Sequence, residues 1–473
     1  MSSSSRAAAP VEVDIDLLGR LDCIAPRYTS YPTAERFVTT FRAAAYKAWT
    51  QKRSISATRR LALYVQMPYC ASLRRSAGSG KAPVVDKTET ARYLHYLCRE
   101  AGMHGALFAD RPCVEQLRWG GSAPAFFSVA QMLKLMNRLR DHFSFSASGE
   151  YTIEIDPCSV EPQIMHALAA MGFNRVSLRG REFDPGFEVL RAGTAGERQA
   201  LEIMLAARRA GFRSINIDLL YGRPAQTLLS LLRGLDQVIR ARPERITLYN
   251  YARMPRWFGL REPDTGTRPA AAPDHLEMLR LAVRRLNNAG YNYIGVDHFV
   301  VPEDELATAQ REGRLYRNFF GYSTYAESNL VALGPGAVGA MGPTYWQNLR
   351  ALPDYYRSLT RGVLPIVRGM QLSADDLTRR AVIQALMCRF ELSIEAIEAT
   401  CLVDFANYFA AELKDLAEFE REGMLINENG WITVTPKGRL LIRNICMVFD
   451  KYLRLERATR SLAQAGSAGA VAA

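Results

Sequence analysis

Four short stretches of this chain bring glycine, carboxylate and thiol groups to places where an α/β protein does chemistry. Leu63-Tyr64-Val65-Gln66-Met67-Pro68-Tyr69-Cys70 ends a β-rich run on an aromatic and a thiol. Trp119-Gly120-Gly121, with Pro124 just beyond, supplies glycines that let the backbone approach a ligand closely. Glu154-Ile155-Asp156-Pro157 spaces two carboxylates so that they share a strand face only if the strand runs through Asp156. Before Pro157, Asp156 reads equally well as the start of a turn. Asn216-Ile217-Asp218-Leu219-Leu220-Tyr221-Gly222 sets Asp218 in an apolar run, where an unpaired carboxylate is costly and a partner is called for. By contrast, lone His298 reads as a satisfied core residue and Cys446 as a small buried hydrophobe.

The elements that would position these residues alternate between two patterns. Strand candidates are Leu61–Met67, Glu115–Gly120, Tyr151–Asp156, Arg175–Leu178, Ser214–Tyr221, Arg245–Tyr251 and Tyr291–Val296. Helical patterns lie between them at Gln131–His142, Gln163–Met171, Glu197–Ala210, Leu228–Ala241 and His275–Ala289. Gly172, Gly211 and Gly290 follow helices as left-handed caps. Repeated β–α units predict a parallel sheet, open or closed into a partial TIM-like barrel of about six units, with chemistry at the C-terminal strand ends.

After about residue 370 the pattern changes to helices at Ala374–Arg389, Ile394–Thr400 and Phe405–Glu422. A hairpin over Met424–Thr435 turns at Glu428-Asn429-Gly430, and a last helix spans about Lys437 to Leu455. This predicts a C-terminal helical, winged-helix-like domain, read as a lid or packing module rather than a DNA binder. The expected division is an N-terminal arm (1–55), a barrel (56–300), a connecting segment completing the site (301–370), the C-terminal domain (371–456) and a disordered tail (457–473).

The composition is that of an ordinary globular protein: 473 residues, 48% hydrophobic and 23% charged. No run approaches the ~18 apolar residues of a membrane span, and MSSSSRAAAP lacks the apolar core of a secretion signal. Eight widely scattered cysteines point to reduced thiols in a cytoplasm rather than a disulfide scaffold. The net charge of +12 is spread along the chain, which suits an anionic small substrate in a basic cleft better than nucleic acid.

Taken together with Pro26-Arg27-Tyr28-Thr29-Ser30-Tyr31-Pro32-Thr33, Asp297-His298-Phe299, Ala309-Gln310-Arg311-Glu312-Gly313 and Gly438-Arg439-Leu440-Leu441-Ile442-Arg443-Asn444-Ile445-Cys446, these stretches carry a resemblance. Over roughly residues 20–455 the chain resembles the oxygen-independent coproporphyrinogen III oxidases, radical S-adenosylmethionine (SAM) enzymes of bacterial heme synthesis. The resemblance implies a partial (β/α)6 barrel of the radical SAM type. It implies oxidative decarboxylation of two propionates of coproporphyrinogen III to give protoporphyrinogen IX, with SAM as radical source and a [4Fe–4S] cluster. It implies a cytoplasmic protein, expected to be a monomer, with no membrane or nucleic-acid partner and an electron donor it does not identify. Tyr64, Gly120, Gly121, Glu154, Asp218 and Ala252 match SAM-contacting positions, and Cys70 matches the first cluster ligand. Arg27 and Arg317 are guanidinium partners available to a tetracarboxylate substrate.

The sequence also departs from this family. Its cluster motif is Cys-x3-Cys-x2-Cys, yet Arg74 and Ala77 stand where the second and third cysteines belong. The glycine-rich turn reads Gly120-Gly121-Ser122-Ala123-Pro124, Arg179-Gly180-Arg181-Glu182 replaces a Gly-Val-Gln-Asp pattern, and Gly193 stands for an Arg. The late turn Gly336-Ala337-Val338-Gly339-Ala340 lacks the family's Ile. Residues 71–85 keep the register while their content turns abruptly to Arg, Ser, Ala and Gly. Two readings therefore stand: the family's enzyme with a locally misread loop, or a cluster-free relative that binds a tetrapyrrole without catalysis.

Overall fold

The computed structural model describes residues 10–21, 25–41, 43–50, 60–67, 87–108, 110–121, 126–180, 195–223, 226–251, 272–325, 329–457 and 459. Six strands, β1 (Arg60–Gln66), β2 (Cys113–Gly120), β3 (Ser144–Ile155), β4 (Arg175–Arg179), β5 (Ser214–Tyr221) and β6 (Arg245–Asn250), lie side by side in chain order. Every neighbouring pair among them is parallel. The returns are made by helices Lys87–Gly105, Val129–His142, Ile164–Ala170, Ala195–Arg209 and Leu228–Ala241, as parallel pairing requires. The helix Lys87–Gly105, which holds Cys98, is one whose bounds are not among those predicted. Its buried face mixes Tyr93, Leu94 and Leu97 with Thr90, Glu100 and His104, which dilutes the apolar periodicity.

Strand alternation sorts the side chains onto two faces. Leu61, Leu63 and Val65, with Leu117, Trp119, Ile153, Ile155, Val176, Leu178, Ile215, Ile217, Ile246 and Leu248, enter the main core. Alternate positions turn to the other face and are largely polar: Tyr64, Gln116, Arg118, Glu150, Thr152, Glu154, Arg175, Ser177, Asn216, Asp218, Arg245, Thr247 and Tyr249. The same alternation that builds the core therefore fills the inside of the half-barrel with hydrogen-bonding groups.

The seventh predicted strand does not continue the parallel series. β7 (Asn292–Gly295) and β8 (His298–Val300) form a hairpin, and β8 pairs antiparallel with β6. The reversal at Val296 (φ 30°) and Asp297 (φ 72°) leaves no room for a crossover helix. A separate ribbon joins β9 (Tyr316–Asn318) to β10 (Gly321–Ser323). Beyond it, β11 (Asn329–Leu333) pairs in parallel with β1, on the side away from β2. β12 (Val338–Met341), β13 (Thr344–Asn348) and β14 (Ile366–Gln371) continue antiparallel to complete a 12-stranded sheet. A segment expected to connect thus extends the sheet.

Toward the C-terminus, Ser373 and Asp376 form a reciprocal capping box at the start of helix Ala374–Arg389. The helix predicted over Phe405–Glu422 is two, Phe405–Tyr408 and Ala410–Arg421, broken at Phe409. The fully buried Phe409 ring packs against Phe405, Tyr408 and Phe449, and that packing outweighs helical continuity. The last predicted helix also breaks. Ile442–Val448 ends, and Asp450 accepts from the Tyr452 and Leu453 amides to start a new helical run. β15 (Glu391–Ser393), β16 (Leu425–Glu428) and β17 (Trp431–Val434) form a small antiparallel sheet of the winged type. Its hairpin turns through Asn429 and Gly430, both left-handed, as an Asn-Gly pair allows. Among the described residues no helix is long and apolar enough to cross a membrane.

An ion cluster fastens this region. The Asp375 carboxylate accepts from Arg379 Nε (2.8 Å) and Tyr408 Oη (2.7 Å) and faces Lys451 Nζ at 2.8 Å. Burial pushes its pKa up, but Lys451, Tyr408 and Arg379 outweigh burial and hold it at about 2. The folded value lies below the unfolded one, so this stabilisation is present above about pH 4 and is lost as pH falls toward 2. Asp450 and Asp218, whose pKa values burial raises, act in the opposite sense. In thermal melts, Asp375→Asn is expected to cost about 1 kcal/mol at pH 7 and almost nothing at pH 2. An equal cost at both pH values would show that the charge is not what matters.

Candidate functional site

Inside the half-barrel the polar groups form three levels. At the N-terminal ends of the strands, Glu150 accepts from Gln116 Nε2 (3.1 Å) and Thr324 Oγ1 (2.6 Å) and lies 3.6 Å from Arg175. Arg175 also pairs with Glu305, and Arg245 Nε donates to Asp304 at 2.8 Å. These pairs close the floor. The next level is a relay: Thr247 Oγ1 donates to Asn216 Oδ1 (3.0 Å), and Asn216 Nδ2 donates to Ser177 Oγ (2.9 Å) and Asp218 Oδ1 (2.8 Å). Ser177 Oγ donates to Asp218 Oδ2 at 3.2 Å, so the partners that the Asp218 carboxylate demands are these neutral groups.

The third level is the mouth, at the C-terminal strand ends. Arg118 Nε and Nη2 donate to Glu154 Oε1 at 3.0 and 2.8 Å, and Arg118 Nη1 donates to the Phe320 carbonyl at 3.2 Å. Glu154 Oε2 accepts from the Gly121 amide at 2.8 Å. Burial pushes the Glu154 carboxyl up, but the Arg118 charge and the Gly121 N–H together hold it below the usual carboxylate range. Asp218 moves the other way, raised by burial and by the negative charge of Glu154. Tyr64 donates to Gln66 Oε1 at 2.8 Å and packs its ring 5.3 Å from that of Phe320. A Cβ on Gly120 would fall 2.4 Å from Tyr64 Oη, and one on left-handed Gly121 2.9 Å from the Met67 carbonyl. Only glycine fits this turn.

Of the residues singled out in the sequence, Tyr64, Gly120, Gly121 and Glu154 stand at this end, with Gly121 and Glu154 in direct contact, and Asp218 lies in the level beneath them. Cys70 and Ala252 lie outside the described residues, as do Arg74, Ala77, Ser122–Pro124, Arg181, Glu182 and Gly193. Asp156 caps the turn that follows β3, accepting from the Cys158 amide at 3.3 Å. Arg118 was not anticipated. Its signal is a cation inside an otherwise apolar-alternating strand, two residues before Gly120 and therefore on the same face.

Opposite this cluster, Arg27 of the N-terminal arm lies 3.6 Å from Asp297 and over the Tyr249 ring at 5.3 Å. The β7–β8 turn that presents Asp297 holds β-branched Val296 at φ 30°, a strained conformation. His298 turns Nδ1 to the Val296 carbonyl at 2.6 Å, and burial, then the charge of Arg317, depress its pKa to about 3. It is a neutral imidazole at physiological pH, with Nδ1–H donated and Nε2 left as an acceptor.

A half-barrel of six parallel strands with a polar mouth, carrying a small winged domain, is the architecture of a radical SAM enzyme. The solved structure of E. coli coproporphyrinogen III oxidase (HemN), described as a radical SAM enzyme, superposes with a TM-score of 0.84 at 37% identity, over 94% of this chain and 100% of that one. A family model described as the HemN C-terminal domain matches residues 372–441. The oxygen-independent coproporphyrinogen III oxidase of Pseudomonas aeruginosa is 41% identical over 449 residues, 93% of this chain and 96% of that protein. Its Escherichia coli counterpart is 38% identical over 444 residues, 94% and 96%. The chain belongs to the oxygen-independent coproporphyrinogen III oxidase family. The alternative of a non-catalytic tetrapyrrole binder finds no support in these relatives.

Arg118 and Glu154 are only partly exposed, so removing one partner strands the other's charge. Arg118→Met is expected to destabilise the protein by about 2 kcal/mol in urea unfolding. Adding Glu154→Leu should recover part of that loss. Strictly additive losses would mean that the pair is not coupled.

Proposed function

We propose that this chain is built for the oxidative decarboxylation of two propionate side chains of coproporphyrinogen III to vinyl groups, giving protoporphyrinogen IX, and that turnover depends on a cluster being held at its loop. The observation that carries the reading is the reach of the likeness. Identities of 37% to 41% extend over more than nine-tenths of this chain and of its relatives, C-terminal domain included. The protein is read as a cytoplasmic monomer without nucleic-acid or membrane partners.

The mouth fits SAM. Glu154 and Asp218 offer carboxylates to a ligand that bears an ammonium, a sulfonium and ribose hydroxyls, and the Gly120-Gly121 turn leaves backbone bare beside them. Tyr64 and the segment around Ala252 complete the set by family position. When bound, SAM supplies the radical that initiates oxidation of the propionate. The protein's own part is to hold Glu154 ionised through Arg118 and Gly121, to fix Asp218 through Ser177 and Asn216, and to present Arg27 and neutral His298 toward the substrate side. The floor of ion pairs closes the far end of the half-barrel.

The cluster loop does not fit its group. Iron–sulfur clusters are held by thiolates, and at the family's three positions this chain has Cys70, Arg74 and Ala77. Among the described residues no group of three or more His, Cys, Asp or Glu side chains could hold a metal ion. Of the described cysteines, Cys388 and Cys446 are buried, and burial raises both thiols.

The test is anaerobic reconstitution with iron and sulfide, followed by assay of coproporphyrinogen III with SAM and a reductant. The unaltered chain is expected to hold no stoichiometric cluster. Arg74→Cys combined with Ala77→Cys is expected to gain one, with turnover at least tenfold above the unaltered chain. A variant that holds cluster and SAM yet forms no protoporphyrinogen IX would refute the functional reading. A full cluster in the unaltered chain, lost with Cys70→Ala, would show that the ligand count is wrong.

A further inference from the structure

Arg317, in the middle of β9, is 2% exposed, yet among the described residues no carboxylate lies within ion-pair distance of it. Its Nε donates to the Arg27 carbonyl at 3.3 Å, and its buried Nη1 has no hydrogen-bond partner. The guanidinium carbon sits 4.7 Å from the centre of the Tyr322 ring, so the side chain is stacked in place. Its backbone is pinned in both directions: Arg317 N donates to Gln384 Oε1 (3.2 Å), and Gln384 Nε2 donates to Arg317 O (2.7 Å). A buried cation without a counter-anion is costly, and proteins rarely keep one unless a partner arrives. The nearest acidic group to enter its field, Asp297, is already committed to Arg27.

Arg317 and Gln384 also line a cavity of about 150 Å³ with Thr29, Ser30, Tyr345 and a second arginine, Arg380. Arg380 Nη1 donates to Tyr345 Oη at 3.3 Å, which fixes it on the helix Ala374–Arg389. The cavity opens partly to solvent and has room for the five non-hydrogen atoms of one carboxyethyl arm.

We propose that Arg317 and Arg380 form the seat for one propionate arm of the substrate, in which the arm's carboxylate supplies the missing counter-anion. The proposal rests on the functional reading above and adds to it the residues that recognise an arm. The β9–β10 ribbon brings one guanidinium, the C-terminal domain brings the other, and the N-terminal arm walls the cavity with Thr29 and Ser30. An alkyl carboxylate is the chemistry selected, because two guanidiniums offer forked donors to a planar anion.

The experiment is a fluorescence titration of the full-length chain with coproporphyrin III and, as control, its tetramethyl ester. The unaltered protein is expected to bind the free acid at least tenfold more tightly than the ester, with the difference shrinking as salt rises. Arg317→Gln is expected to weaken free-acid binding tenfold or more, to leave ester binding unchanged, and to be partly rescued by Arg317→Lys. If Arg317→Gln does not fold by circular dichroism, Arg380→Gln carries the test with the same acid-over-ester readout. Equal acid-over-ester preference before and after substitution overturns the proposal while the functional reading stands. Failure of the unaltered chain to bind coproporphyrin III at all overturns both.

Discussion

The ion pair between Arg118 and Glu154 is the contact around which the mouth of the half-barrel is organised. It engages both oxygens of Glu154, Oε1 with two donors of the guanidinium and Oε2 with the Gly121 amide alone, and it uses a third donor of Arg118 on the Phe320 carbonyl. One pair therefore ties β2, β3, the turn after β2 and the β9–β10 ribbon into a single arrangement. Its charges also reach Asp218, where Glu154 raises the carboxyl more than Arg118 lowers it. The constraint behind it is general. Alternation along six parallel strands obliges every second side chain to point inward, and an interior filled with charge is tolerable only where each charge is answered.

The N-terminal arm and the C-terminal domain complete the enclosure from the other side. Tyr28 Oη donates to Asp450 at 3.1 Å, Tyr31 Oη accepts from the Lys451 amide at 3.1 Å, and Arg27 turns toward Asp297. Both tyrosines are almost wholly buried, so the arm is part of the core rather than an appendage. Because the break at Phe449–Asp450 is what presents Asp450 to Tyr28, the interrupted last helix has a positional consequence. It docks the arm where its Arg27 can face the mouth.

What was legible in the sequence follows from local rules. β5 and the helix Leu228–Ala241 have the predicted bounds, because an alternating β-branched and polar run and a Thr-capped amphipathic pattern are each self-sufficient signals. The Asn429-Gly430 hairpin was readable for the same reason, since the turn chemistry lies in two adjacent residues. The illegible parts are those decided at a distance. Nothing local in Asn329–Leu333 says that it will pair with β1, more than 260 positions earlier, and nothing near Phe409 announces the ring of Phe449. Arg118 belongs to this class. Its sequence neighbourhood gives its face of the strand but not its partner, which lies on the next strand across a helix.

The changed positions in this chain share a mechanical property that explains why the family fold survives them. Arg74, Ala77, Ser122 and Arg181 come after strand ends in the sequence and lie outside the described residues, and the strands themselves keep both their core face and their polar face. Loop residues after a parallel strand contribute to ligand binding without contributing to the buried apolar area that stabilises the sheet. A cluster stabilises the fold only through its binding to the native state, so its absence leaves the apo stability where it was. On the reading proposed above, the substrate side draws on other segments: the arm, the β7–β8 turn, the β9–β10 ribbon and the C-terminal domain. A chain can therefore change at its cluster loop and still present the same cationic enclosure to a tetracarboxylate, because the two halves of the site draw on different parts of the fold.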